Sequence, residues 1–206
     1  MNRRTRFLIT YKILFALLAF SALVTEVATI VDRGVFNAGN FFSFFTVESN
    51  MLITVALILS ALTLAAGKKS RALDVFRGFT TTLMIIVGIG FAVLLSGLEN
   101  VALTAVPWDN TVLHYILPVV AVLDYIIDRP TTQLGFARSL AWLLYPLAYL
   151  FYSLVRGAVV GWYPYPFLNP NHSSTQEITI ASVGILVLGV LAVLVTTKLS
   201  GVRKKI

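Results

Sequence analysis

ITIASVGILVLGVLAVLVTTKL, Ile178–Leu199, is apolar all round and holds one charged residue, Lys198, close to its end. As a helix rising about 1.5 Å per residue it extends roughly 33 Å, enough to cross a hydrocarbon core about 30 Å thick. It lacks the two-residue alternation of a membrane barrel strand. Only a helix satisfies all of its own backbone hydrogen bonds in lipid, so the stretch predicts a transmembrane helix.

Five further runs of the same kind precede it, at about Phe7–Ile30, Phe44–Ala66, Val75–Gly97, Asn110–Ile127 and Leu140–Gly157. The chain of 206 residues is 58% hydrophobic and 12% charged. It is expected to be an all-α bundle of six transmembrane helices forming one integral membrane domain over residues 1–206. A soluble bundle would need a polar exterior that this composition does not supply. The first run follows several arginines but exceeds the roughly 7 to 15 apolar residues of a signal-peptide core, so it is expected to be a retained span.

Charge orients the bundle. Fourteen of the sixteen Lys and Arg residues fall at the N-terminus (Arg3, Arg4, Arg6, Lys12), the second connection (Lys68, Lys69, Arg71, Arg77), the fourth connection (Arg129, Arg138) or the C-terminus (Lys198, Arg203, Lys204, Lys205). Only Arg33 and Arg156 fall on the opposite side. The positive-inside rule therefore predicts a multi-pass protein of the cell membrane with both termini cytoplasmic. The net charge of +7 is accounted for by topology, and no nucleic-acid partner is expected. No cysteine is present, which excludes a disulfide framework and a thiol nucleophile. With only His114 and His172 as histidines, neither a metal site nor a cofactor is expected.

Depth makes the sequence more specific. On this topology Glu26, Thr46, Glu48, Ser49, Asn50, Glu99, Asp109, Asn110, Thr111, His114 and Arg156 share the outer level of the bundle. A charge on the lipid face costs roughly 2 to 4 kcal/mol, so such groups are expected to face the interior or water. At about 100° per residue, Thr46 and Asn50 share a face with Ser49 nearby, and Glu48 points away. In the fourth span Asn110, Thr111, His114 and Pro118 share a face, with a kink expected just below the histidine because Pro118 has no N–H to donate. Tyr145, Tyr149, Tyr152 and Arg156 line one side of the fifth span, as an aromatic packing stripe or as the wall of a polar cavity. The fifth connection, GWYPYPFLNP (Gly161–Pro170), is broken by three prolines and suits either an interfacial aromatic belt or a lid over a pocket.

The segments FFSFFTVESN (Phe41–Asn50) and WDNTVLHYILP (Trp108–Pro118), with Arg156–Gly157 and YPYPF (Tyr163–Phe167), resemble the androgen-induced gene family of multispan membrane proteins, in particular its bacterial six-span branch. The resemblance extends over essentially the whole chain. Animal members are threonine hydrolases that cleave fatty acid esters of hydroxy fatty acids within the membrane, using a Thr nucleophile and a His. What the resemblance implies is that Thr46 is the nucleophile and His114 its partner.

The chemistry also stands on the residue types. A threonine hydroxyl needs a base within about 2.6 to 3.2 Å, and histidine is the usual one. Ser49, Asn50, Asn110, Thr111 or main-chain N–H groups would support the oxyanion or the polar pocket. Arg156 suits a fatty-acid carboxylate. Glu26 is either the acid behind the histidine or the ion-pair partner of Arg156. A non-catalytic lipid-binding protein or a transporter would use the same outer-level cavity, with Asp124 extending a polar path inward.

Overall fold

The computed structural model describes residues 1–97 and 104–201. Glu99, and the C-terminal Arg203, Lys204 and Lys205, lie outside the described residues. Among the described residues there is no strand. Six helices are long and apolar enough to cross a membrane, Arg3–Asp32, Phe45–Ala65, Arg71–Leu94, Pro107–Ile127, Phe136–Val160 and Thr175–Leu199. They are the first to sixth spans below.

Most begin a few residues before the apolar run because polar caps start them. The Asn2 side chain accepts the Thr5 N–H at 2.8 Å, Ser70 accepts that of Leu73 at 3.2 Å, and Ser174 forms a reciprocal capping box with Glu177. Pro107 occupies the opening turn of the fourth span, where its missing N–H costs nothing. The third span stops at Leu94, short of the Gly97 expected from hydropathy. The second span starts at Phe45 with no side-chain cap, which matters for the site below.

The bundle buries many polar side chains among its apolar core and exposes large apolar ones. Asn50, Thr80, Thr82 and Thr196 are wholly buried, whereas Phe151 and Val159 are among many exposed apolar side chains. That inversion is stable only where the surroundings are hydrocarbon. The third span is central and packs against the second, fourth and sixth, while the first lies along the second. Both termini share one end of the bundle, since Arg4 Nη2 donates to Ile127 O at 2.7 Å and the Gly201 N–H donates to Pro130 O at 3.1 Å. We call this the basic end.

Inside that end sits an ion cluster. Lys12 pairs with Asp124 and, at 2.9 Å, with Asp128, while Arg77 pairs with Asp124 at 2.9 Å and with Asp128 at 3.5 Å. Lys12 and Arg77 were expected among the topology-setting charges of the loops; instead they are buried and neutralised between spans. Asp124, to which a transport path would extend, is likewise an internal partner of the two cations. Two cations and two carboxylates cancel, which is how four charges are tolerated away from water.

The fourth span departs from an α-helix at Val112–Ile116, where it forms one π turn. Leu117 donates its N–H to Val112 O, five residues back, and Pro118 has no N–H to give. The carbonyl of Leu113 is thereby stripped of any partner in its own helix. Gly88 of the third span gives Pro118 room, since a Cβ there would stand 2.8 Å from the proline Cβ.

Candidate functional site

A cavity of about 260 Å³ opens at the end of the bundle opposite the termini, and Thr46, His114, Glu26, Arg33 and Tyr165 are among its lining residues. Thr46 lies in the uncapped first turn of the second span. The opening N–H groups of a helix have no intrahelical acceptor, and side chains usually take them up. Here the Phe45 N–H reaches Tyr149 Oη at 3.3 Å and the Thr46 N–H reaches Tyr165 Oη at 3.3 Å. The Val47 N–H has no partner among the described residues, and Val47 lines the same cavity. Two main-chain donors thus flank the threonine hydroxyl, at the positive end of a 21-residue helix.

His114 is placed by the π turn. Its Nδ1 lies 3.1 Å from Asn110 O, and a carbonyl only accepts, so the neutral ring carries its proton on Nδ1. Nε2 then keeps its lone pair and has no hydrogen-bond partner among the described residues. The ring also stacks on Phe91, centroids 4.1 Å apart. Among the described residues no acid bonds to the histidine; the main-chain carbonyl of Asn110 orients it.

The threonine and histidine elements are tied together by Asn50. Its Nδ2 donates to Thr46 O at 2.8 Å and to Leu113 O at 3.2 Å, the second being the carbonyl that the π turn strands. Both amide hydrogens are therefore spent. Asn50 positions the two spans and is not available as an oxyanion donor, contrary to expectation. Ser49 is wholly buried and lines neither of the two cavities at the site.

Other expected members fall elsewhere. Thr111 is exposed, its hydroxyl bonded back to Pro107 O at 3.1 Å, because the π turn changes the phase between it and His114. Asn110 contributes its carbonyl and not its side chain. Glu26 does not pair with Arg156; it accepts the Ala105 N–H at 2.7 Å and faces Asp109. Arg156 donates to Asn40 Oδ1 at 2.7 Å and lies 5.1 Å from the Trp162 ring. It stands behind the cavity wall, and Arg33 is the cation that lines the cavity itself.

The tyrosine stripe bridges the fifth span to the second. Tyr145 donates to Glu48 at 2.7 Å, Tyr149 to Ser43 O at 2.8 Å, and Tyr152 lies 2.8 Å from Ser43 Oγ. Tyr152 is otherwise exposed on the outer surface. Tyr149 lines a second, apolar cavity of about 90 Å³ bounded also by Phe91, Leu150, Phe167 and Ile185. Thr46 and Tyr165 line both cavities.

Tyr165 is the residue that the sequence did not single out. It belongs to the fifth connection, which folds over the start of the second span. Its hydroxyl lies 3.4 Å from Thr46 Oγ1, and its ring stacks on Phe167. Burial pushes the Tyr165 phenol up from its ordinary value, against the weaker opposing pull of its contacts with Thr46, so it stays a neutral hydroxyl. Thr46 and His114 make no hydrogen bond to each other. Among the described residues, no three His, Asp or Glu side chains converge as a metal site would require.

The chain matches no family model, no curated protein and no solved structure. Its fold and site define a class: a six-span helical membrane protein with a polar cavity, walled by a threonine and a histidine, set beside an apolar one.

Proposed function

We propose that this protein is an intramembrane lipid ester hydrolase with Thr46 as nucleophile and His114 as general base. The observation that carries the proposal is the presence of Thr46 and His114 on one cavity, with the threonine in a helix turn whose N–H groups are free of intrahelical acceptors. The resemblance of Phe41–Asn50 and Trp108–Pro118 to membrane threonine hydrolases supports it. Fatty acid esters of hydroxy fatty acids, or related lipids, are the substrate class. The cell membrane, with the termini cytoplasmic and the cavity at the outer level, is the setting that the Lys and Arg distribution favours.

In this mechanism the ester carbonyl oxygen displaces the Tyr165 hydroxyl from the Thr46 N–H and takes the Val47 N–H as a second donor. Nε2 of His114 takes the proton of Thr46 Oγ1 as that oxygen bonds to the carbonyl carbon. Collapse of the tetrahedral intermediate breaks the ester C–O bond, and the leaving alcohol receives the proton from Nε2. Water then repeats the sequence on the acyl-threonine, releasing the fatty acid and restoring the hydroxyl. The acyl chain lies in the apolar cavity, which meets the polar one at Thr46. Arg33 is the cation placed to receive a substrate carboxylate.

The test is hydrolysis of fatty acid esters of hydroxy fatty acids by the full chain in detergent, beside Thr46→Val and His114→Gln. Both variants are expected to lose on the order of a thousandfold in rate or more while eluting and melting as folded protein. Equal turnover by wild type and either variant would overturn the catalytic assignment. A second reading, a non-catalytic lipid-binding or transport protein, is favoured by the pairing of Thr46 with Tyr165 and not with His114. It requires that Thr46→Val bind lipid undiminished and that wild type release no product.

A further inference from the structure

A cavity larger than the two at the candidate site lies elsewhere. It lies at the basic end, encloses about 820 Å³, and draws its cations from three separate parts of the chain: Arg4 near the N-terminus, Lys68 and Lys69 between the second and third spans, and Arg129 after the fourth. From these residues and their unmatched charge we infer that this cavity binds a phosphate-bearing anion, a phospholipid headgroup or free phosphate.

The acids on its wall do not neutralise these cations. Asp74 accepts from Thr131 Oγ1 at 3.1 Å and from the Thr132 N–H at 2.9 Å. Asp128 is already matched by Lys12 and Arg77 in the internal cluster. Among the described residues, the side chains of Lys68, Lys69 and Arg129 take part in no hydrogen bond or ion pair, and Arg4 uses one amino group on Ile127 O. Four cations remain against one engaged carboxylate, an excess of positive charge concentrated in a concave site.

Two further donors line the same cavity without partners among the described residues. Ser60, 3% exposed, has no acceptor for its hydroxyl, and Arg77, 6% exposed, has none for its Nε–H. Buried donors are seldom left unmatched. An anion with several acceptor oxygens answers both the charge and the donors, since guanidinium and ammonium groups form their strongest hydrogen bonds to phosphate. Topology alone asks only that cations lie at this end, and it does not gather them around a cavity. Basic pockets between spans at such an end are suited to anionic headgroups.

The experiment measures lipid retained by the purified full chain, by native mass spectrometry, after incubation with phosphatidylglycerol or phosphatidylcholine vesicles, with and without millimolar inorganic phosphate. Lys68→Gln/Lys69→Gln/Arg129→Gln removes three cavity charges. Arg6→Gln/Arg71→Gln/Arg138→Gln removes three from exposed positions at the same end but outside the cavity. Phosphatidylglycerol is expected to be retained in preference to phosphatidylcholine. The cavity variant should lose that retention by about tenfold or more, and the control variant should keep it. Displacement by inorganic phosphate would identify a site that reads phosphate alone; resistance to it would identify one that also needs the lipid. Equal retention of the two lipids, or equal loss in both triple variants, would overturn the proposal.

Discussion

Asn50 shows how much one amide decides. It joins the main chain of Thr46 to the carbonyl that Pro118 and the π turn strand, so it holds the threonine's helix against the histidine's. Asn50→Leu keeps the volume and leaves Leu113 O buried without a donor. Such a group costs about 1 to 3 kcal/mol, and a thermal melt of the variant should show a loss of that size together with loss of ester hydrolysis. The sequence exposed Asn50 as a polar residue at the right depth and face, but not which of its atoms are spent. The phase argument paired Thr46 with Asn50 correctly and placed Thr111 wrongly, because 100° per residue does not hold across a π turn. Tyr165 escaped notice for a different reason: its contact with Thr46 joins residues 119 apart, and nothing in the local pattern of a proline-broken loop announces such a contact.

Spans and loops divide the work of the candidate site. The spans were legible because each is a long apolar run, and their true starts differ by a few residues because caps, not hydropathy, begin a helix. The fifth connection was legible as a break that suits a belt or a lid, but not in which of its residues reaches the second span. What anchors it is Gly157, where a Cβ would come within 2.1 Å of the Tyr163 ring. Gly157→Ala must push Tyr163 away, and with it the segment that carries Tyr165. Overpacking of this kind costs about 1 to 3 kcal/mol. A lowered melting temperature and a shifted Trp162 emission are the expected results, with the helical content unchanged. Lys12 offers the matching test between spans. Lys12→Met leaves Asp124 and Asp128 facing Arg77 alone and should cost about 3 to 5 kcal/mol, in part recovered by adding Asp124→Asn. Both are measured by unfolding in denaturing detergent.

The whole molecule presents apolar side chains outward where a water-soluble bundle would be polar, and that much follows from composition. Orientation follows from charge alone: a reporter fused at the C-terminus should be active in the cytoplasm, and a reporter active only outside would reverse the topology. With Lys12 and Arg77 internal, the sequence still assigns twelve of the remaining fourteen cations to one side, so the expectation keeps its basis and the reporter tests it. The ion cluster has one more consequence, which belongs to biosynthesis. Lys12 is separated from Asp124 by 112 residues, a stretch that takes on the order of 10 s to synthesise at about 5 to 20 residues per second. Throughout that interval the first span carries a positive charge for which no carboxylate from the fourth span exists. The nascent helix must keep its lysine stretched toward the interfacial water and can sink to its final seat only when the fourth span arrives. Closure of the bundle is thus coupled to the emergence of that span, and the two aspartates serve as a late latch on the earliest helix.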